Sequence, residues 1–361
     1  MKLLLIDHPY HAKTKSSVFM VESLNKAFDV TVGYYDEDQA RNKAHAFEEL
    51  NATAFDVIVF FQVGAWKLLR RLRGRSIVFI PMFDGIDIDS EEIWDSLENI
   101  KIVSFCRRVH EKALEQGKDS LNLQFFPESS DGKIIKSSRS LFFWQRNDSI
   151  TWWTVKQLIG NYRLEKVHFH TATDPGHSLE RPSTVENAAY NIEYSAWFPD
   201  RSSYLEMVSR STFYVSPRLR EGIGMSFLEA MARGCVVIAA DCPTMNEYIK
   251  DGETGLLFDP QKPTMLDFRR WKRISENSRE AIAVGHAEWK RRETELLDFI
   301  GSSARSRDKE NVKCLRPKRK YPLRRLNRFA RKYLGWLKYL LPYGLLLALK
   351  GKRNVRKPSP G

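Results

Sequence analysis

Short apolar runs alternate with longer stretches of mixed character along most of this chain. In its first part the runs are Lys2 to Ile6, Val30 to Tyr34, Val57 to Phe61, Ile77 to Pro81, Lys101 to Phe105 and Asn122 to Phe126. Near-continuous apolar runs of this length read as strands buried on both faces, the pattern of a parallel sheet covered by helices. Between them, Val18 to Phe28 and Glu91 to Leu97 carry helical spacing. The alternation starts again with Ser140 to Trp144, Val167 to His170, Glu193 to Phe198, Thr212 to Val215, Val236 to Ala239 and Gly255 to Phe258. Strands alternating with helices predict an α/β fold, here two Rossmann-like domains facing a cleft. The polar, turn-rich stretch Pro127 to Arg139 (PESSDGKIIKSSR) is the natural linker, so the expected domains are 1–137 and 138–303. No fixed-period repeat accompanies the duplication, which is architectural only. A helix from about Ser275 to Ile300 closes the second domain, and Gly301 to Asp308 (GSSARSRD) reads as a hinge into a tail, 304–361.

The length, 361 residues, suits two domains better than one core. The start, MKLLLIDHPYH, has four apolar residues in a row before Asp7, too few for a signal-peptide core, so the expected location is the cytoplasm. Charge changes the picture at the other end. The whole chain carries +13, and Asn311 to Gly361 holds 16 Lys or Arg with no Asp or Glu, which leaves −3 for residues 1–310. In the tail Leu323, Leu326, Phe329, Tyr333, Leu337 and Leu340 recur at steps of three or four, while Arg324, Arg325, Arg328, Arg331 and Lys332 take other faces. That is a basic amphipathic helix. The following uncharged run, Tyr339 to Leu349, is eleven residues long, whereas a bilayer span needs about 20. With Trp336, Tyr339 and Tyr343 at headgroup depth, the tail is expected to hold the protein on the anionic inner face of the cell membrane. The alternatives are a helix packed on the body and an RNA-binding arm; the apolar stripe favours lipid, and no nucleic-acid partner is expected.

The candidate chemistry is concentrated in residues 216 to 258, SPRLREGIGMSFLEAMARGCVVIAADCPTMNEYIKDGETGLLF. A β-run ends in a turn, Gly222 and Gly224 let the backbone come close to a neighbour, and helical spacing follows through Phe227, Ala230 and Met231. Such a helix start offers free N–H groups and a positive dipole end to an anion beyond the strand's carboxyl edge. Glu221 and Glu229 would be repelled by that anion and are better placed to accept hydrogen bonds from hydroxyls. Together these features imply a sugar nucleotide. Taken singly, the turn reads as a tight connection and Glu229 as a solvated helix residue. The segment resembles the donor-binding signature of the retaining GT-B glycosyltransferases, glycosyltransferase family 4 in particular: glutamate, seven residues, glutamate, then A-M-A-x-G, a buried strand, N-E and D-G-x-x-G. The resemblance is dense from Glu221 to Gly255 and looser from about residue 138 to 300. It implies transfer of a hexose from a nucleoside diphosphate with retention of configuration and without a metal or other cofactor. In that family the first glutamate lies against the donor sugar and the second binds the ribose, roles that fall on Glu221 and Glu229. The backbone at Gly222, Gly224, Met225, Ser226 and Phe227 would face the diphosphate.

Elsewhere the match thins. The family places glycine then arginine after the first strand of this half, with a lysine a few residues on, to neutralise the leaving diphosphate. Arg146 matches the arginine, Gln145 replaces the glycine, and the first available lysine is Lys156, ten residues later. In the first half, where the family has a histidine after the fourth strand, this chain has Asp84, which either orients a hydroxyl as a catalytic group or belongs to a turn with Gly85. His11 is a weaker candidate. Asp87 and Asp89 form a D-x-D triplet that reads as helix capping rather than metal binding. His168 and His170 share one strand face with no third ligand at suitable spacing, so they read as a packed pair, and the four cysteines show neither zinc nor disulfide spacing.

The expectation is therefore a membrane-associated retaining hexosyltransferase acting on a saccharide or lipid-linked acceptor. Aromatic-basic tails of this kind resemble those of enzymes that build bacterial surface polysaccharide, which points to polysaccharide or lipopolysaccharide synthesis. A sugar-nucleotide epimerase of the same fold and a catalytically silent membrane-bound scaffold are the alternatives. With Glu221 ionised, its charge would stabilise a sugar ring that turns cationic as the diphosphate departs.

Overall fold

The computed structural model describes residues 1–35, 55–63, 76–129, 136, 138–198 and 200–303. The basic tail, with Arg324, Arg328, Lys332, Trp336 and Tyr339, lies outside the described residues. Met1–Val312 forms one compact unit.

Six parallel strands make the first sheet: β1 (Lys2–Asp7), β2 (Asp29–Tyr34), β3 (Val57–Phe61), β4 (Ser76–Ile80), β5 (Lys101–Ser104) and β6 (Ser120–Asn122). Their order is β2-β1-β3-β4-β5-β6. Helices α1 (Pro9–Thr14), α2 (Val18–Leu24), α3 (Glu91–Ser96) and α4 (Arg107–Glu115) belong to this half. The second sheet is also parallel: β7 (Ser140–Trp144), β8 (Lys166–His170), β9 (Ile192–Ser195), β10 (Phe213–Val215), β11 (Val236–Ala240) and β12 (Leu256–Phe258), in the order β12-β11-β10-β7-β8-β9. Its helices are α5 (Trp152–Ile159), α6 (Thr184–Ala189), α7 (Arg201–Ser209), α8 (Met225–Ala232) and α9 (Met245–Tyr248), followed by α10 (Trp271–Gly301). The central strands β3, β7, β10 and β11 are buried almost throughout, because helices cover both faces and leave no place for a polar alternation. The result is the GT-B arrangement of two Rossmann-like domains.

Two expected elements shift. The strand expected at Asn122 to Phe126 pairs only at Ser120–Asn122. The apolar residues after it turn away to fill the seam beneath α10, with the Phe125 ring edge-on to Trp289 at 5.4 Å and Phe126 packed on Gly285. The D-x-D triplet does not cap α3. Ser90 occupies the N-cap position, and the Asp87 carboxylate instead accepts from the Asp89 N–H at 3.2 Å, closing a turn of its own.

The 31-residue α10 closes the second domain and returns to the first. Glu293 accepts from Ser23 Oγ at 2.6 Å and pairs with Lys26. At the helix end the buried Lys101 ammonium, on β5, donates to the carbonyls of Phe299, Ile300 and Ser302, and Ser76 Oγ donates to Ile300 at 2.8 Å. A cation on the last carbonyls satisfies orphan acceptors and opposes the negative dipole end. Burial lowers the Lys101 pKa to about 8.

Candidate active site

The second sheet reverses its strand order between β7 and β10, so the connections leaving those two strands diverge at their carboxyl ends, where open α/β sheets bind their ligands. The connection after β7 carries Gln145 and Arg146, that after β10 carries Ser216 to Glu221, and that after β8 carries Asp174. From the first sheet, the connection after β4 brings Met82, Phe83 and Asp84 against them.

Four of these side chains form a continuous ionic chain. Arg146 donates from Nε and Nη2 to one oxygen of Asp174 at 3.1 and 2.8 Å, and its guanidinium lies over the Trp144 ring, 4.7 Å from the centroid. The other Asp174 oxygen accepts from Arg218 Nη2 at 2.6 Å, and Arg218 Nη1 continues to Asp84 Oδ2 at 3.2 Å. The chain thus joins the two sheets. Arg220 adds a second tie, donating to the Phe83 carbonyl at 2.7 Å with its guanidinium on the Phe83 ring.

Glu221 is buried beside this chain. Burial pushes its pKa up to about 7, the negative charge of Asp84 adds to the shift, and Arg218 and Arg146 oppose it. Near neutral pH the carboxyl is therefore poised between its two forms, and the ionised Glu221 that the resemblance implies is one of them. Asp84 is also raised, by burial first, with Arg218 as the strongest opposing charge. Both carboxyls are thus raised together, with Arg218 the strongest charge opposing each shift, and perturbed groups of this kind gather at functional sites. The Glu221 carbonyl accepts from Thr244 Oγ1 at 2.6 Å, and Thr244 itself holds φ +76°, an uncommon conformation for a β-branched residue.

Gly222 and Gly224 are needed for different reasons. A Cβ on Gly222 would meet Met82 at 2.7 Å, so this glycine lets the second domain close on the first. Gly224, the N-cap of α8, sits at φ +83°, and a Cβ there would collide with the Phe227 ring. Within the first turn of α8, Phe227 is buried in the core and the Ser226 hydroxyl is engaged with Tyr214. The Phe227 N–H already donates to the Gly224 carbonyl at 3.1 Å, so what this turn can offer a ligand is the backbone N–H of Met225 and Ser226. Just over one turn into the helix, Glu229 is buried and pairs with Arg201, the first residue of α7; burial raises its pKa against that partner.

The structure brings Glu221, Asp84, Arg146, Gly222 and Gly224 together with the start of α8. It does not bring Lys156 there, because that ammonium is bound to Glu186 of α6 at 2.6 Å. Arg218, Asp174 and Arg201 were missed in the sequence. Arg218 had a signal, since it lies three residues before Glu221 in the same turn, whereas the loop holding Asp174 carries no recognisable pattern. His11 pairs with Asp7 at 2.5 Å, and His168 and His170 both bond Ser195 Oγ at 2.7 Å while stacking on Phe142. Burial lowers the pKa of His168, and that of His170 to about 4, which suits neutral packed rings. Among the described residues no three His, Cys, Asp or Glu cluster in a way that could hold a metal, and no helix is long and apolar enough to cross a membrane.

Comparison with known proteins agrees with this geometry. Residues 184–292 match the family model of the "Glycosyl transferases group 1", so the chain carries a group 1 glycosyltransferase segment on a GT-B frame. Among solved structures the chain is similar to sucrose-phosphate synthase from Thermosynechococcus elongatus, with TM-score 0.59, 12% identity, 82% of this chain and 97% of that one covered. It is likewise similar to Anabaena HepE in complex with UDP, at TM-score 0.54, 12% identity and coverage of 82% and 100%. The apo form of the lipopolysaccharide outer core galactosyltransferase WaaB is similar at TM-score 0.51 and 12% identity, over 83% of this chain and 98% of that one. No curated protein sequence matches the chain.

Proposed function

We propose that this protein moves a hexose from a nucleoside-diphosphate sugar to a saccharide or lipid-linked acceptor, with retention of configuration, at the inner face of the cell membrane in surface polysaccharide or lipopolysaccharide synthesis. The observation that carries the proposal is the buried Glu221, raised to about 7, beside two arginines at the glycine-capped start of α8. The diphosphate would sit against that start, where N–H groups and fixed cations stabilise the charge that grows as the leaving group departs. No step is routed through a metal. Glu229 would accept from the ribose with the carboxylate oxygen that Arg201 leaves open. In its ionised form Glu221 would stabilise the cationic sugar ring and fix its hydroxyls, and the acceptor hydroxyl would enter on the face the leaving group vacates. Asp84, on the connection after β4, would orient that hydroxyl. HepE binds UDP and WaaB is a lipopolysaccharide galactosyltransferase, which is consistent with this substrate class.

A thermal-shift screen of common nucleoside diphosphates and their sugars tests the donor, because a ligand that binds only the folded state raises its stability. At least one should raise the melting temperature, and transfer should need both that donor and an acceptor. Turnover of donor sugar without acceptor would favour the epimerase. Deleting residues 311–361 should release the protein from membranes into the soluble fraction; continued sedimentation with membranes would refute the tail's role.

A further inference from the structure

Four buried polar atoms around the candidate site have no hydrogen-bond partner within the protein: Arg218 Nε, Asp84 Oδ1, Gln145 Oε1 and Ser216 Oγ. Gln145 and Ser216 are wholly buried. Unpaired buried groups are costly and rare, and four of them on the three connections that frame one site mark a place where a polar ligand completes the bonding. The protein's own occupant of that place is Asp174. Its two oxygens divide between two guanidiniums, Arg146 on one side and Arg218 on the other, which is how a phosphate bridges paired arginines.

Resting on the donor reading above, we infer that Arg218 is the second cation that holds the donor's diphosphate, in the role the sequence assigned to Lys156, and that Asp174 is a resting clasp the diphosphate displaces. Lys156 is held by Glu186 of α6 at 2.6 Å, while Arg218 comes from the very turn that positions Glu221. Three guanidiniums, Arg146, Arg218 and Arg220, already share the three carboxyls of Asp174, Asp84 and Glu221, so a diphosphate entering without displacing a carboxylate would meet an excess of negative charge. Removing the Asp174 charge should therefore favour nucleotide binding. If Asp174 only positioned the two arginines, its removal would do the opposite.

The test is calorimetric titration of the full-length protein with UDP, GDP, ADP and inorganic pyrophosphate, using the nucleotide that binds the wild type best for the variants. Arg218→Ala should weaken binding about 10- to 100-fold, the size of a charge-assisted hydrogen bond, and Lys156→Ala by less than about 3-fold. Asp174→Asn should tighten binding several-fold. Arg218→Gln keeps most of the volume and is read in place of Arg218→Ala if the latter fails to fold. Arg218 variants that bind like wild type, with Lys156→Ala weakened, would overturn Arg218's role. Weaker binding by Asp174→Asn would overturn the displaced clasp. A wild type that binds none of the four probes would overturn the donor reading and this inference with it.

Discussion

The two walls of the cleft are built from similar sheets but do different work. The second domain meets the ligand space with charge: Arg146, Arg218, Glu221 and Glu229 on strand ends and a helix start, all buried or half-buried. The first domain meets it mainly with Met82 and Phe83, and its charged contribution is Asp84, bound to Arg218 across the gap. The reason lies in strand order. The second sheet's reversal between β7 and β10 places two divergent, residue-rich connections beside a glycine-capped helix, while the first domain presents the short turn after β4. A donor of fixed polyanionic chemistry suits the first kind of wall, and an acceptor whose hydroxyls need only orienting suits the second.

Glycine substitutions break the comparison most sharply. Gly224→Ala puts a side chain at φ +83° and into the Phe227 ring, at a cost of about 3 kcal/mol from backbone strain and overpacking together. Gly85→Ala, at the matching turn of the first domain, meets nothing closer than 3.7 Å and should shift stability by no more than about 0.5 kcal/mol. Chemical denaturation compares them, and equal losses would show that the α8 start is not specially constrained. Next in size, Glu221→Ala should lower transfer at least ~100-fold, the scale of losing one aimed electrostatic group; wild-type activity in the folded variant would remove Glu221 from the mechanism.

A smaller effect concerns pH. Because the folded pKa of Glu221 lies about 7, above the ordinary glutamate range, the native state keeps a proton that the unfolded chain has already lost. Wild-type stability should therefore fall as pH rises from the unfolded value toward about 7, then level off. Glu221→Gln lacks that slope, and its stability relative to wild type should rise by roughly 3 kcal/mol between acid pH and pH 8. Melting curves at pH 5 and 8 that show no such divergence would contradict the buried, poised carboxyl. The smallest effect crosses the cleft. Asp84→Asn removes a negative neighbour, so Glu221 should ionise at lower pH and the acid limb of the transfer profile should move down by about half a unit. An unmoved limb would mean that the first domain does not tune the second.

Nearly every strand was legible, because strands buried on both faces must be continuously apolar, as β3, β7 and β11 are. The same signal failed at Leu123, Phe125 and Phe126, which are apolar for a different reason: they fill the seam beneath α10. In the site, Glu221, Glu229, Gly222 and Gly224 could be read because one contiguous turn and helix hold them. Arg218 and Asp174 meet only through folding, 44 residues apart in sequence. Lys156 looked suitable by spacing, and the partner that engages it, Glu186, lies on a helix whose placement no local pattern fixes.

The most direct measurement is a crystal structure of the protein with the nucleoside-diphosphate sugar that most raises its melting temperature. The diphosphate should lie against the N–H groups at Gly224 to Ser226 and between Arg146 and Arg218, with the hexose beside Glu221. A donor bound elsewhere, or a hexose turned away from Glu221, would contradict the proposal.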